Sequence, residues 1–332
     1  MGDVRASVLI PTHAHHLTLP MTVRSVLRQS VSQLEVIIIG DGVSPDVRSA
    51  ALALVGEDDR VRFLDLPKEK HHGETHRHTA ILGAQSDAIL YLCDDDLLLP
   101  DHVADLLSLL ADHNFVQSLN GTIAPNGQLR LHPCDLAVPE SVAWHLLEPR
   151  RNRVSLTGTA HTREFYLAID DPWEPTPADE WPDHYMWKKF MRRPEFRGAT
   201  STRMTALQFP STLRATWTDV ERGAEIEPWF RRLAEPGAQA HVDDLVAVES
   251  RRRLDELARS LNVARGRVAY RNDAIAKKNA TIEKLKVKVE RLSQRAERRA
   301  ARIAQLEEKL RALEQSRSWR WTRPLRWLRR KV

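Results

Sequence analysis

The sequence predicts an α/β fold, a mostly parallel sheet with helices on both faces, followed by a long α-helical coiled coil. Three observations carry this. Short continuous apolar runs alternate with amphipathic segments through residues 7–93, the pattern of parallel strands covered on both faces. The runs stop at polar breaks, Pro11-Thr12-His13, Gly40-Asp41-Gly42 and Asp94-Asp95-Asp96, and open α/β sheets bind ligands at the carboxyl ends of their strands. From Leu254 onward, apolar residues return every seven positions.

Taken in order, Ser7–Ile10 is a short strand stopped by Pro11. Residues 20–29 place Met21, Val23, Val26 and Leu27 on one face of a helix that begins with Pro20. Leu34–Ile39 is the strongest strand, broken by Gly40-Asp41-Gly42, and Ser44-Pro45-Asp46 opens a helix to about Leu54. Val61–Leu64 is a third strand, Glu74–Gly83 a helix and Ala88–Cys93 a fourth strand, which runs directly into Asp94-Asp95-Asp96. Three packed carboxylates repel one another unless a cation neutralises them, and hard divalent ions such as Mg²⁺ or Mn²⁺ take such oxygens together with substrate phosphate. A solvated acidic turn is the plainer reading of the triplet alone.

Composition narrows the classes. The net charge of +5 hides an asymmetry: residues 251–332 hold 26 basic against 9 acidic side chains, and residues 1–250 hold 24 against 36. An acidic globular part thus precedes a basic tail with a separate task. Two cysteines, Cys93 and Cys134, make neither a disulfide framework nor a zinc site, and with no signal-peptide pattern a reducing, cytosolic setting is expected. No apolar stretch approaches the ~20 residues of a membrane span.

Ser7–Thr12, Val36–Gly42, Gly73–Arg77 and Asp94-Asp95-Asp96 with Pro100, in this order and spacing, resemble a type-A family 2 glycosyltransferase. The likeness is close over residues 6–110 and loose over 111–215. It implies a nucleotide-sugar-binding sheet, a nucleotide-sugar donor, a glycan or lipid-linked acceptor, an inverting transfer and a Mn²⁺ or Mg²⁺ cofactor. By position it implies that Pro11, Thr12, His13 and Asp41 hold the base and ribose, that Arg77 contacts the nucleotide, and that Asp95 and Asp96 bind the metal with Asp94 beside them. The chain departs from the pattern at Gly40, His78, Cys93 and His13.

The resemblance also implies a general base just before an aromatic-rich helix. Aligned on Trp187, Asp183 takes that place, with Glu180 and Asp179 as alternatives. Pro182 as first helical residue puts Asp183 in the first turn, where the helix dipole favours a carboxylate; stabilising the helix start is then its plainer role. Trp173, Trp181, Tyr185 and Trp187 suit either an acceptor wall or a core. His72 and His76 have i, i+4 spacing without a third ligand, and His15 and His71 read as surface residues.

With Leu254 at position a, all nine a positions through Leu310 are apolar, and six of nine d positions are, the exceptions being Arg271, Lys278 and Arg299. β-Branched residues at a with Leu at d favour two parallel strands. Residues 316–332 combine Trp319, Trp321 and Trp327 with Leu and Arg, which suits a membrane interface better than nucleic acid. The expected organisation is a catalytic domain over 1–215, a helical connector over 216–250, a coiled coil over 251–315 that forms a homodimer, and a basic membrane-associating tail over 316–332. The expected location is the inner face of the cytoplasmic membrane. The alternative is an inactive type-A scaffold that recruits partners through its coil.

Overall fold

A computed structural model describes residues 3–147 and 152–316. The chain divides after Arg253 into two units.

The first unit begins β1 (Ala6–Thr12), α1 (Leu19–Leu27), β2 (Leu34–Asp41), α2 (Pro45–Glu57), β3 (Val61–Leu66), α3 (Glu74–Leu82) and β4 (Ala88–Tyr91). The expected helices and strands are therefore present, with one shortened: β4 stops at Tyr91, two residues before Cys93. Beyond it the Cys93 amide turns to the Thr157 hydroxyl at 2.9 Å, out of the ladder.

All four strands are parallel, in the order β3-β2-β1-β4, with Thr12 beside Gly40 and Leu9 beside Tyr91. β2 is buried at every position because helices cover both its faces. Val36 and Ile38 point into a cluster with Leu19, Val23 and Val26 of α1 and Val47 and Leu54 of α2. Ile37 and Ile39 point the other way, towards Ala80 and Ile81 of α3. This period-2 division of an unbroken apolar run is what fixes the register. The Ser44 hydroxyl accepts from the Val47 amide at 3.3 Å, and Pro45 follows, so the start of α2 is capped as its sequence predicts.

There follow β5 (Leu97–Leu98), α4 (His102–Leu110), β6 (Phe115–Gln117), β7 (Gly121–Ile123), β8 (Leu129–Leu131), α5 (Pro139–Leu147), β9 (Thr159–Thr162), α6 (Arg163–Leu167), α7 (Pro182–Met191), β10 (Gly198–Thr200), β11 (Ala206–Leu207), a 3₁₀ turn (Ser211–Arg214), α8 (Asp219–Leu233) and α9 (Ala238–Gln315). Antiparallel β9 sits between β4 and β6, and β10 is parallel to β6, completing a seven-stranded sheet ordered β10-β6-β9-β4-β1-β2-β3. Ile226 of α8 and Val242 of α9 are buried against Leu97, Leu207 and Phe209. Residues 216–253 therefore pack as part of the first unit.

In the second unit, residues 254–315 are helical and their a-position residues are exposed, Ile275 at 56% and Ile282 at 48% for example. No helix among the described residues is long and apolar enough to cross a membrane. The tail expected to meet a membrane lies, from residue 317, outside the described residues.

Candidate active site

The ends of β1, β2 and β4 meet at a cavity of about 330 Å³ lined by Pro11, Thr12, His13, Asp41, Arg77, Asp94 and Asp95, among others. Seven of the residues singled out by sequence thus come together. Asp96 and Asp183 do not line the cavity.

Asp41, at the end of β2, is held from several sides. Lys68 pairs with Oδ2, the Glu69 amide donates to Oδ1 at 2.7 Å, and His76 Nε2 lies 3.6 Å from the same oxygen. Burial pushes the Asp41 carboxyl up, but Lys68, the Glu69 amide and His76 together hold it below the usual carboxylate range. His13 Nδ1 meets the Asp41 carbonyl oxygen at 2.7 Å. Gly73 has φ +66°, and a Cβ there would come within 3.1 Å of the Asp41 side chain. The left-handed conformation favours glycine at 73, and a side chain there would press on Asp41.

The acid triplet divides by direction. Asp94 Oδ1 meets His15 Nδ1 at 2.9 Å. That hydrogen bond raises the imidazole to about 9 against the opposing effect of burial. Asp95 Oδ2 is paired with Arg222 of α8 and accepts from Ser211 Oγ at 3.1 Å. Burial, with Asp94 beside it, lifts the Asp95 carboxyl to about 6, while Arg222 and His15 pull it down. Asp96 faces inward: its oxygens accept from Thr157 Oγ1 at 2.5 Å and from the Phe209 amide at 2.7 Å. Burial and Asp95 raise it well above the usual range.

Two groups of side chains among the described residues have metal-ligand spacing, His15-Asp94-Asp95 and Cys93-Asp95-Asp96, the ligand atoms of each lying within 4.8 Å of one another. The oxygen-rich set that opens on the cavity, Asp94 and Asp95, fits a hard divalent cation. His72 and His76 belong to neither group, and His76 Nε2 is bonded to the Pro67 carbonyl oxygen at 2.8 Å. Sequence reasoning placed His15 and His71 on the surface; both line the cavity. It also missed Lys68, Ser211 and Arg222, which lie far along the chain from the acids they bind.

Arg77 is buried, with its guanidinium carbon 4.8 Å from the centre of the Trp173 ring. Its Nε and Nη1 are buried without a hydrogen-bond partner among the described residues. Burial opposes its charge, which Glu74, Cys93, Tyr91 and Asp183 favour.

Asp183 is the second residue of α7, after Pro182. Its Oδ2 accepts from Asn152 Nδ2 at 3.0 Å and its Oδ1 from the His184 amide at 2.8 Å. Burial lifts the carboxyl to about 6, against the His184 amide and Arg77. Glu180 is paired with Lys188, and Asp179 is exposed. Of the four aromatics weighed for an acceptor wall, Trp173 and Trp187 are core residues at 4% and 0% exposure, while Trp181, next to Pro182, is 44% exposed.

Residues 7–165 match the family model described as Glycosyl transferase family 2. Over 103 residues the chain is 26% identical to the GalNAc(5)-diNAcBac-PP-undecaprenol beta-1,3-glucosyltransferase of Campylobacter jejuni, covering 31% of this chain and 33% of that one. It is 28% identical over 118 residues to an uncharacterized glycosyltransferase of Rickettsia conorii, covering 36% and 19%. The matches thus span a third or less of these relatives. Staphylococcus aureus TarS is similar in structure at TM-score 0.47 and 14% identity, over 74% of this chain and 42% of that one. TarS 1-349 in complex with UDP-GlcNAc gives 0.45 and 14%, over 74% and 71%. The fold, the cavity at its strand ends and the family match together make residues 7–165 a glycosyl transferase family 2 domain of type-A fold.

Proposed function

We propose that the chain moves a sugar from a nucleotide-diphosphate donor to a hydroxyl of a glycan or lipid-linked acceptor, with inversion and with Mn²⁺ or Mg²⁺, in the synthesis of a cell-surface polysaccharide. The observation that carries this is Arg77: a buried cation with two unpartnered N–H groups, lining the same cavity as two carboxylates that fit a divalent ion. A cation with free donors in one cavity with a metal-type acid pair suits a diphosphate.

Asp41 would meet the ribose and His13 and Thr12 the base. Thr12 Oγ1 is buried without a partner among the described residues, so it has bonding capacity to offer. Arg77 would neutralise the diphosphate. Asp94 and Asp95 would hold the divalent ion, and both oxygens of Asp96 would brace the loop beneath them. The ion, when bound, supplies Lewis-acid neutralisation of the leaving group. Asp183 would take the proton of the acceptor hydroxyl as its oxygen bonds to the anomeric carbon; the bond from that carbon to the diphosphate oxygen breaks, and the electron pair leaves with the diphosphate. Attack from the opposite face inverts the centre. A carboxylate near pH 6 is well matched to this task at neutral pH, and Glu180 is less suited because Lys188 engages it.

The Campylobacter jejuni relative is named for an undecaprenol-linked acceptor, which favours a lipid-linked acceptor here and work at the inner face of the cytoplasmic membrane. The exposed seam of residues 254–313 suits pairing with a second copy. In a parallel pair Arg302 would face Glu307 and Lys309 would face Glu314, whereas an antiparallel pair would set the basic g positions Arg267, Lys288, Arg295, Arg302 and Lys309 against one another. A screen of nucleotide sugars for Mn²⁺-dependent hydrolysis and transfer tests the central reading. Turnover of one donor, lost in excess chelator, is expected. No turnover of any donor, with nucleoside diphosphates failing to bind, would return the chain to the scaffold alternative.

A further inference from the structure

Arg77 differs from the other buried arginines of the first unit in how it is held. Arg214 is paired with Glu225 and Arg222 with Asp95, so each guanidinium has a carboxylate against it, although Arg222 Nε is also without a partner among the described residues. Arg77 instead lies 4.8 Å over the ring of Trp173, with Nε and Nη1 unpartnered. An aromatic face attracts a guanidinium through its quadrupole and uses none of its N–H donors.

We propose that Trp173 is a positioning residue for Arg77: its ring fixes the guanidinium while leaving the donors free for the diphosphate of the sugar donor. The inference rests on Arg77 being the anion contact of the proposed function. Trp173 is itself fixed. Its Nε1 donates to Tyr91 Oη at 3.0 Å, that oxygen meets His161 Nε2 at 2.8 Å, and the Trp173 ring stands edge-on to Trp187 with centroids 5.6 Å apart.

The same stretch of chain is tied to α3 a second time. Glu74, fully buried one turn before Arg77, accepts from the His72 amide at 2.9 Å through one oxygen and from the Thr176 amide at 3.3 Å through the other. The segment between α6 and α7 is thus fastened to α3 at Trp173 and at Thr176, and it leads on to Asp183. Donor contact and base segment form one connected piece, with Trp173 at the joint.

The test is calorimetric binding of inorganic pyrophosphate, and of UDP, GDP, CDP and dTDP, in Mn²⁺. Arg77→Ala should weaken pyrophosphate binding, and if it does not, the anion-site reading falls and this inference with it. Trp173→Leu should weaken binding by about tenfold, the scale of a desolvated cation–π contact, and should add nothing in the Arg77→Ala background. Trp173→Phe, which keeps a ring face but loses the bond to Tyr91, should stay closer to wild type than Trp173→Leu. Equal losses from Trp173→Leu with and without Arg77, or equal losses from Leu and Phe, would overturn the proposal while leaving the Arg77 reading intact. Should Trp173→Leu not fold, the arginine Nε–H resonance that disappears in Arg77→Ala decides. It should lie upfield from the Trp173 ring current and move on adding pyrophosphate; a resonance at the usual position overturns the proposal.

Discussion

Residues 3–253 and the helix from Leu254 onward treat charge in opposite ways. In the first unit charges are drawn inside and matched: Asp95 with Arg222, Glu225 with Arg214, Glu180 with Lys188. Desolvation offsets much of the attraction in such pairs, so they contribute placement more than stability. In the helix, charges are exposed and pair along the same face, Lys277 with Asp273 and Lys286 with Glu283, contacts worth roughly 0.3–0.5 kcal/mol at most. What is left without a partner differs accordingly. In the first unit the unpartnered groups among the described residues include a guanidinium at a cavity, which suits an anion; in the helix a row of Leu, Ile and Val is exposed, which suits another helix.

The hardest blow to the first half of this comparison is Asp95→Ala. It removes a carboxylate proposed to hold the divalent ion and also leaves Arg222 buried and unpaired, which costs about 3–5 kcal/mol. Transfer and the thermal midpoint should both collapse. Asp95→Ala with Arg222→Met should recover much of the midpoint and none of the transfer, and recovered transfer would show that Asp95 serves only to neutralise Arg222.

Next in size is Asp183→Asn. The amide cannot take a proton, so transfer should fall ~10²–10⁴-fold while Mn²⁺-dependent binding of nucleoside diphosphate stays near wild type. If transfer persists near the wild-type rate, the base lies elsewhere.

The seam is sharpened by Ile275→Asp with Ile282→Asp. Sedimentation should report a single copy where the parent sediments as two, and helical circular dichroism should fall, because an isolated helix with so little packing is marginal. Transfer to a soluble acceptor should be unaffected. A parent that sediments as one copy removes the second half of the comparison.

A smaller effect concerns pH. Burial holds the Asp183 carboxyl at about 6, above its ordinary value. A general base works as the carboxylate, so transfer should be half-maximal near pH 6 and rise above it. Asn152→Ala removes a donor from that carboxylate, disfavours the charged form and should move the limb to higher pH. An unmoved limb in Asn152→Ala and in Asp183→Asn alike would assign it to another group.

How much of this was legible in the sequence follows from how each part is held. β1 to β4 were readable because a strand covered on both faces must be apolar throughout, as β2 is at every position. β6, β9 and β10, of three or four residues, are too short to show a period, and their place is set by partners far along the chain. The cavity residues at strand ends were readable because the sheet puts them there. Arg222 was not: it is 127 positions from Asp95, in a stretch whose only local signals, Thr218 and Glu221, are those of a helix cap. The inward turn of Asp96 was equally hidden, since adjacent acids look alike until Thr157 and the Phe209 amide claim one of them.

The smallest expected effect on catalysis, and the one that extends the comparison past the described helix, is deletion of residues 316–332. Transfer to a soluble acceptor should be unchanged, because this segment lies outside the unit that carries the cavity. Binding to vesicles rich in anionic lipid should be lost. Trp319, Trp321 and Trp327 supply rings suited to headgroup depth, and each Arg or Lys near an anionic surface adds attraction of ~1 kcal/mol at best. Residues 1–250, with 24 basic against 36 acidic side chains, carry the wrong sign to replace them. Pairing through the seam would present two tails per particle and raise avidity, so Ile275→Asp with Ile282→Asp should weaken flotation without abolishing it. Flotation of full-length chain, truncation and seam variant on one gradient at low salt reads all three. Equal flotation of truncation and full-length chain would remove the tail as an anchor, and equal flotation of seam variant and parent would remove the pairing.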